Sequence, residues 1–167
     1  YNKTKRNMNG GIFMYKPDFN NMLKVLNREK PEQPTLFEFF LNGPLYKKLA
    51  DEKVLKEDSE FKSLKIRISA FKNAGYDYTT MHGSDFGFKS GEKKRKDSIS
   101  INEGGLIKDR KSFNEYTWPD PEDFNYSRLK ILADELPEGM KLIVHGPSGV
   151  LENVISLVGY EKLCFLL

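Results

Sequence analysis

Apolar positions along the chain switch between two periods, and the switches mark its elements. After a polar, basic and glycine-containing stretch over residues 1–16, Phe19, Met22, Leu23 and Leu26 recur with a period near 3.6 residues. Asp18 stands ahead of them, after Pro17, where an N-cap belongs, so a short amphipathic helix is predicted. The Lys30-Pro31-Glu32-Gln33-Pro34 break ends it, and Thr35-Leu36-Phe37-Glu38-Phe39-Phe40-Leu41 follows as a near-continuous apolar run. Such a run, apolar on both faces, predicts a buried parallel strand. Asn42-Gly43-Pro44 closes it and opens a helix through Leu45 and Leu49. Phe61, Leu64, Ile68 and Phe71 make the clearest helical stripe, with Gly75 at the position that ends it.

Residues 76–82, rich in the β-formers Tyr78, Thr79 and Thr80, predict a second strand, and residues 141–145 a third. Between them, Ser98-Ile99-Ser100-Ile101 alternates, residues 102–105 turn, and Leu106-Ile107 returns, predicting a β-hairpin inserted in a loop. Trp118-Pro119-Asp120-Pro121-Glu122-Asp123 has proline and acids where a helix starts, and Leu129, Leu132, Ala133 and Leu136 continue the pattern to Pro137. From Gly149 onward the chain reads as helical. Strands alternating with helices argue for α/β class and a parallel sheet of βαβ units.

Composition narrows the function. The chain has 167 residues, 27 basic against 24 acidic, so charge alone gives no reason to expect nucleic acid as a partner. One cysteine excludes an intramolecular disulfide, and with two histidines it is too few for a closed Cys/His zinc site within this chain. No run approaches the length of about 18 apolar residues that crosses a membrane, and no apolar segment follows the basic start, so a cytoplasmic location is expected. With 12 Phe, 8 Tyr and 1 Trp the chain holds enough large apolar groups for a core. Starting at Tyr1 and stopping in the apolar run 163–167, it is expected to be incomplete at its C-terminus.

Candidate chemistry gathers at the predicted carboxyl ends of strands, where α/β folds collect their ligands. His82 and His145, the only histidines, each end a strand, and an imidazole exchanges a proton near neutral pH. Asp85 follows His82 by three residues across Gly83-Ser84, and a carboxylate there can orient a neighbouring imidazole or a substrate. Glu38 interrupts the apolar first strand and would need a partner, either a ligand or a structural cation such as Arg67. The loop from Gly146 to Gly149 precedes a helix whose first N–H groups could meet an anion. Each has a plainer alternative: a histidine bonded to a loop carbonyl, an aspartate closing a turn. Lys93-Lys94-Arg95-Lys96, flanked by Glu92 and Asp97, reads as a solvated loop rather than a phosphate-binding one. A small binding module using that loop is the reading of another class. Cys164 is expected on an apolar helix face, as a small core residue.

Several segments in order resemble the uroporphyrinogen decarboxylase family, which includes corrinoid-dependent methyltransferases. They are Pro34-Thr-Leu-Phe-Glu-Phe-Phe, Gly75-Tyr-Asp with Ser84-Asp85, Trp118-Pro-Asp-Pro-Glu-Asp-Phe-Asn-Tyr, and Gly159-Tyr-Glu-Lys-Leu. The resemblance spans residues 17–167 and implies the N-terminal portion of a (β/α)8 TIM barrel, with residues 1–16 as lead-in and the hairpin inserted after the second strand. Ser84-Asp85 matches the Ser-Asp pair of that family, and at the mouth of such a barrel Asp85, His82 and His145 are expected to be catalytic, with Glu38, Asn42, Ser84 and Gly146 toward substrate. In the decarboxylases the Ser-Asp pair faces the pyrrole nitrogens of the substrate. Their first strand, however, is followed by arginine that grips the substrate carboxylates, and residues 37–46 here contain neither Arg nor Lys. The resemblance therefore points first to a methyltransferase-type member, moving a methyl group to a thiol, and second to a decarboxylase of porphyrin biosynthesis. Zinc and a corrinoid would serve the full-length enzyme, a corrinoid protein would be a partner, and no cofactor is expected to be bound by this chain alone. Activity of the isolated chain is not expected.

Overall fold

In the computed structural model, which describes residues 15–91 and 101–167, the chain folds as mixed helix and strand. Its elements are α1 (Asn20–Leu26), α2 (Gly43–Leu49), α3 (Glu52–Lys56), α4 (Lys62–Asn73), β1 (Tyr78–His82), α5 (Arg110–Glu115), a 3-10 turn (Pro121–Asp123), α6 (Ser127–Asp134), β2 (Lys141–His145), α7 (Val150–Val158) and α8 (Tyr160–Leu166). Strands β1 and β2 form one two-stranded sheet. The Lys141 N–H donates to the Asp77 carbonyl (3.1 Å) and the Gly83 N–H to the His145 carbonyl (3.2 Å). That pattern is a parallel ladder with Tyr78 opposite Lys141 and His82 opposite His145. The described residues divide into two compact units, one within 1–79 with 135–143 and one within 80–134 with 144–167.

The first unit is built on α4. Its stripe buries Ile68 and Phe71, and Phe71 lies 5.0 Å from the Tyr76 ring and 5.9 Å from the Tyr78 ring between centroids. The helix ends as its sequence predicts: Gly75 has φ +89°, the Gly75 N–H bonds the Lys72 carbonyl and the Tyr76 N–H bonds the Phe71 carbonyl, both at 3.0 Å. This is a Schellman motif, which a Cβ at Gly75 would strain. Ser69, buried on the same helix, accepts from the Asp51 N–H and donates to the Asp51 carboxylate, both at 2.9 Å. Asn73 donates to the Leu49 carbonyl (2.8 Å), so both polar contacts tie α4 to the α2–α3 junction. Asp77, also buried, receives the Tyr15 hydroxyl (2.5 Å) and the Asp18 N–H (2.7 Å). Burial, with the Asp77 carboxylate beside it, pushes the Tyr15 hydroxyl well above the usual tyrosine range.

One predicted strand does not form. Residues 35–41 make no strand, and Leu36, Phe37, Phe39 and Phe40 are exposed, Phe40 to 68%. Their backbone finds side chains instead of a ladder: the Glu38 N–H donates to the Tyr78 hydroxyl (2.6 Å), which donates back to the Glu38 carbonyl (2.8 Å). The Leu41 N–H likewise takes the Tyr46 hydroxyl at 2.8 Å. An apolar run predicts burial only when another layer covers it, and these side chains stay exposed although Phe37 stacks on the Tyr78 ring at 5.6 Å.

In the second unit, Trp118 gathers Phe113 (5.4 Å), Tyr116 (4.7 Å) and Phe88 (6.3 Å), and Phe86 meets Phe124 at 5.2 Å. Half of the predicted hairpin, residues 98–100, lies outside the described residues, as does Lys93 to Lys96. Residues 101–107 turn and run on without strand pairing, and bond to the α7–α8 junction instead. The Ile107 N–H donates to the Leu157 carbonyl (2.9 Å) and the Tyr160 N–H to the Ile101 carbonyl (3.0 Å). Gly105 packs so close that a Cβ would lie 2.7 Å from the Val158 backbone. Gly159, at φ +92°, separates two helices where the pattern predicts one. The Pro121 signature makes only the 3-10 turn, with Asp120 capping the Glu122 N–H at 3.0 Å, and α6 starts afresh at Ser127. Cys164 is exposed rather than buried. No helix among the described residues is long and apolar enough to cross a membrane.

Candidate functional site

The strongest candidate lies in the second unit, where both strands end. The parallel register sets His82 directly opposite His145, and their rings meet edge to face with centroids 4.1 Å apart. Parallel pairing alone accomplishes this, because two residues in register on neighbouring strands project to the same side. His145 Nδ1 lies 3.2 Å from the Gly146 carbonyl oxygen. That oxygen only accepts, so the contact is a hydrogen bond when Nδ1 carries the proton, leaving the lone pair of the neutral ring on Nε2.

The two imidazoles line a pocket of about 200 Å³ together with Ser84, Gly146, Tyr126 and Val144. Its floor is tight at Gly83, where a Cβ would lie 3.2 Å from Val144 and 3.7 Å from the Tyr126 ring. Ser84 is buried and its hydroxyl accepts the Phe86 N–H at 3.1 Å, which shapes the loop leaving β1. Asn153 donates to the Pro147 carbonyl (2.6 Å), which ties the loop from β2 to α7, and Ser148 within it sits at φ +48°. The Glu152 carboxylate lies against Gly149, at the start of α7. It already compensates the positive helix end there, and an incoming anion would meet its charge.

Asp85 does not line the pocket. Its exposed carboxylate receives the Arg128 guanidinium at 2.9 Å, while Arg128 Nε reaches the Gly83 carbonyl at 3.4 Å. Arg128 therefore fastens the loop between His82 and Asp85, and its own side chain is mostly covered. No periodicity or motif singled out Arg128. Tyr126 closes the Trp118-to-Tyr126 segment already noted, and only its position marked it.

Glu38 and Asn42 belong to the first unit. Glu38 is exposed, which removes the reason for seeking a buried partner, and the Arg67 guanidinium sits 5.5 Å from the Tyr46 ring centroid instead. The Asn42 side chain accepts the Leu45 N–H at 2.9 Å and so caps α2. Of the seven candidates, His82, Ser84, His145 and Gly146 share one pocket and Asp85 adjoins it. A search of protein-family models, curated proteins and solved structures finds nothing that matches this chain.

Proposed function

We propose that this chain is part of a uroporphyrinogen decarboxylase-like barrel enzyme of the methyltransferase type, acting on a small molecule at the carboxyl ends of β1 and β2. The observation that carries the reading is the His82–His145 pair, opposed across a parallel ladder over a pocket of about 200 Å³. That position is where barrel and open α/β enzymes hold substrate. Two imidazoles in contact can take up a proton from a substrate on one side and return it on the other. Ser84 and Tyr126 line the same pocket. Asp85 and Arg128 act as a positioning pair that keeps the loop after His82 in place.

Methyl transfer is favoured over tetrapyrrole decarboxylation by the stretch 37–46, which carries no cation to grip a substrate with many carboxylates. Zinc, when bound in such enzymes, lowers the pKa of a thiol so that the thiolate attacks. Among the described residues no group of three His, Cys, Asp or Glu is arranged to hold a metal, so the residues present do not compose that centre.

The test is a parallel assay of the enzyme containing the whole barrel with methylcobalamin plus a thiol and with uroporphyrinogen. Methyl transfer that His82→Ala and His145→Ala each abolish is the expected result. Turnover of uroporphyrinogen instead would make the enzyme a decarboxylase. Methyl transfer by the 167-residue chain alone would overturn the reading, which assigns it only part of the site.

A further inference from the structure

The lining of the pocket at the ends of β1 and β2 points to a class of molecule. We propose that it binds an uncharged aromatic molecule of one ring or two fused rings, which, resting on the reading of this pocket as the substrate site, is the class of the substrate. Four of the lining side chains are rings, those of His82, Phe86, Tyr126 and His145, and Val144 and Pro147 add apolar surface. Ring pairs attract one another edge to face or offset, with centroids about 4.5–7 Å apart, and an aliphatic molecule of equal size has no such contact to make. None of the lining residues is Lys, Arg, Asp or Glu. A charged ligand would leave water there without meeting an opposite charge.

The rings differ in what already touches them. Phe86 is fixed edge-on against Phe124 at 5.2 Å and Phe88 at 5.6 Å. His82 and His145 meet at 4.1 Å and keep the contacts they have, since the ligand touches their rings and asks nothing of their nitrogens. Tyr126 is 41% exposed, and among the described residues no other ring packs on it. A Cβ on Gly83 would stand 3.7 Å from Tyr126 Cε1 and 3.2 Å from Val144 Cγ1, so glycine there keeps the space between ring and methyl clear. Polar groups of the wall are engaged locally: Ser84 accepts the Phe86 N–H at 3.1 Å, and the Gly146 carbonyl lies 3.2 Å from His145 Nδ1. A closed apolar cavity of about 150 Å³ takes a benzene ring. At about 200 Å³ and open to solvent, this pocket takes a single substituted ring or a fused pair.

The probe is indole, titrated into the 167-residue chain at about pH 8, above the range in which free imidazole takes up a proton. Proton NMR reads the binding, because the only two histidines of the chain both line the pocket. Saturable binding at millimolar indole is expected, with both imidazole signals shifting together under its ring current. Cyclohexanol, which lacks the aromatic ring, and benzoate, which carries a charge, are each expected to bind at least about tenfold more weakly. Tyr126→Ala is expected to weaken indole binding about tenfold, Tyr126→Phe to keep it within about threefold, and His145→Ala to abolish it. Circular dichroism checks that each variant folds. No indole binding at millimolar concentration, equal affinity for cyclohexanol or benzoate, or binding that Tyr126→Ala leaves intact would each overturn the proposal. Binding is read without turnover, so loss of indole binding in an enzyme that transfers methyl groups strikes the ligand class alone. Indole binding without methyl transfer strikes the proposed reaction and leaves the ligand class standing.

Discussion

Tyr78 and His82 sit four residues apart on one strand and live under opposite conditions. Tyr78 is fully buried, packed against Phe71 and Tyr76, and its hydroxyl closes two bonds to the backbone of Glu38. Burial raises its hydroxyl above the usual tyrosine range. His82 is exposed, on a strand whose four preceding residues are all buried. A side chain that closes every bond internally contributes to stability and has nothing left for a ligand. One at the end of a strand, with a pocket beside it, contributes less to folding and stands where a ligand can reach it. The two regions should therefore respond differently to the same kind of substitution.

The largest effect is expected in the aromatic cluster. Phe71→Ala removes a fully buried ring that touches Tyr46, Tyr76 and Tyr78, and is expected to cost about 3–5 kcal/mol in urea unfolding. A loss below about 1 kcal/mol would mean that this cluster is not the core of its unit. Ser69→Ala comes next. It leaves the Asp51 N–H and carboxylate without their shared partner, at an expected cost of about 1–2 kcal/mol by the same measurement. His145→Ala is expected to change stability by no more than about 1 kcal/mol while abolishing ligand binding at the pocket. A large loss of stability there would erase the contrast between the two regions.

The smallest effect concerns the Lys65 ion pairs. The Lys65 ammonium reaches Glu57 at 2.6 Å and Glu135 at 3.1 Å. The hydrogen bond from Lys65 holds the Glu57 carboxyl below its usual range, and the bonds to Glu57 and Glu135 hold the lysine above its own. The carboxyl contribution is present above the ordinary Glu value near pH 4.3 or so and fades as pH falls through the lowered one. The lysine contribution is present below its ordinary value of about 10.4 and fades as pH rises through the raised one. Lys65→Met is expected to flatten the dependence of Tm on pH at both ends, and an unchanged profile would show that these pairs contribute nothing.

The sequence was legible where local chemistry decides. The α4 stripe, the end at Gly75, the opening of α2 at Asn42-Gly43-Pro44 and the span of β2 all depend on residues within a few positions of one another. It misled where a distant partner decides. Residues 35–41 read as a buried strand, but the distant Tyr78 captured the Glu38 N–H, and the rings of Phe37, Phe39 and Phe40 stay exposed. The α5 start was legible and overlooked: Asp109 and Ser112 form a reciprocal capping box, with the Asp109 carboxylate receiving the Ser112 N–H at 2.7 Å. At the site, the two histidines stood out because each ended a β-rich run, and the parallel register then joined them. Arg128 could not be found that way, since its partners Asp85 and Gly83 lie more than forty residues earlier in the chain.

The candidate site depends on the opposition of His82 and His145 across the parallel ladder. With only two histidines in the chain, a nuclear Overhauser measurement between their imidazole ring protons tests it without ambiguity. At a centroid separation of 4.1 Å a strong cross-peak is predicted between the two rings. Two folded, well-resolved imidazole spin systems with no cross-peak between them would contradict both the register and the site built upon it.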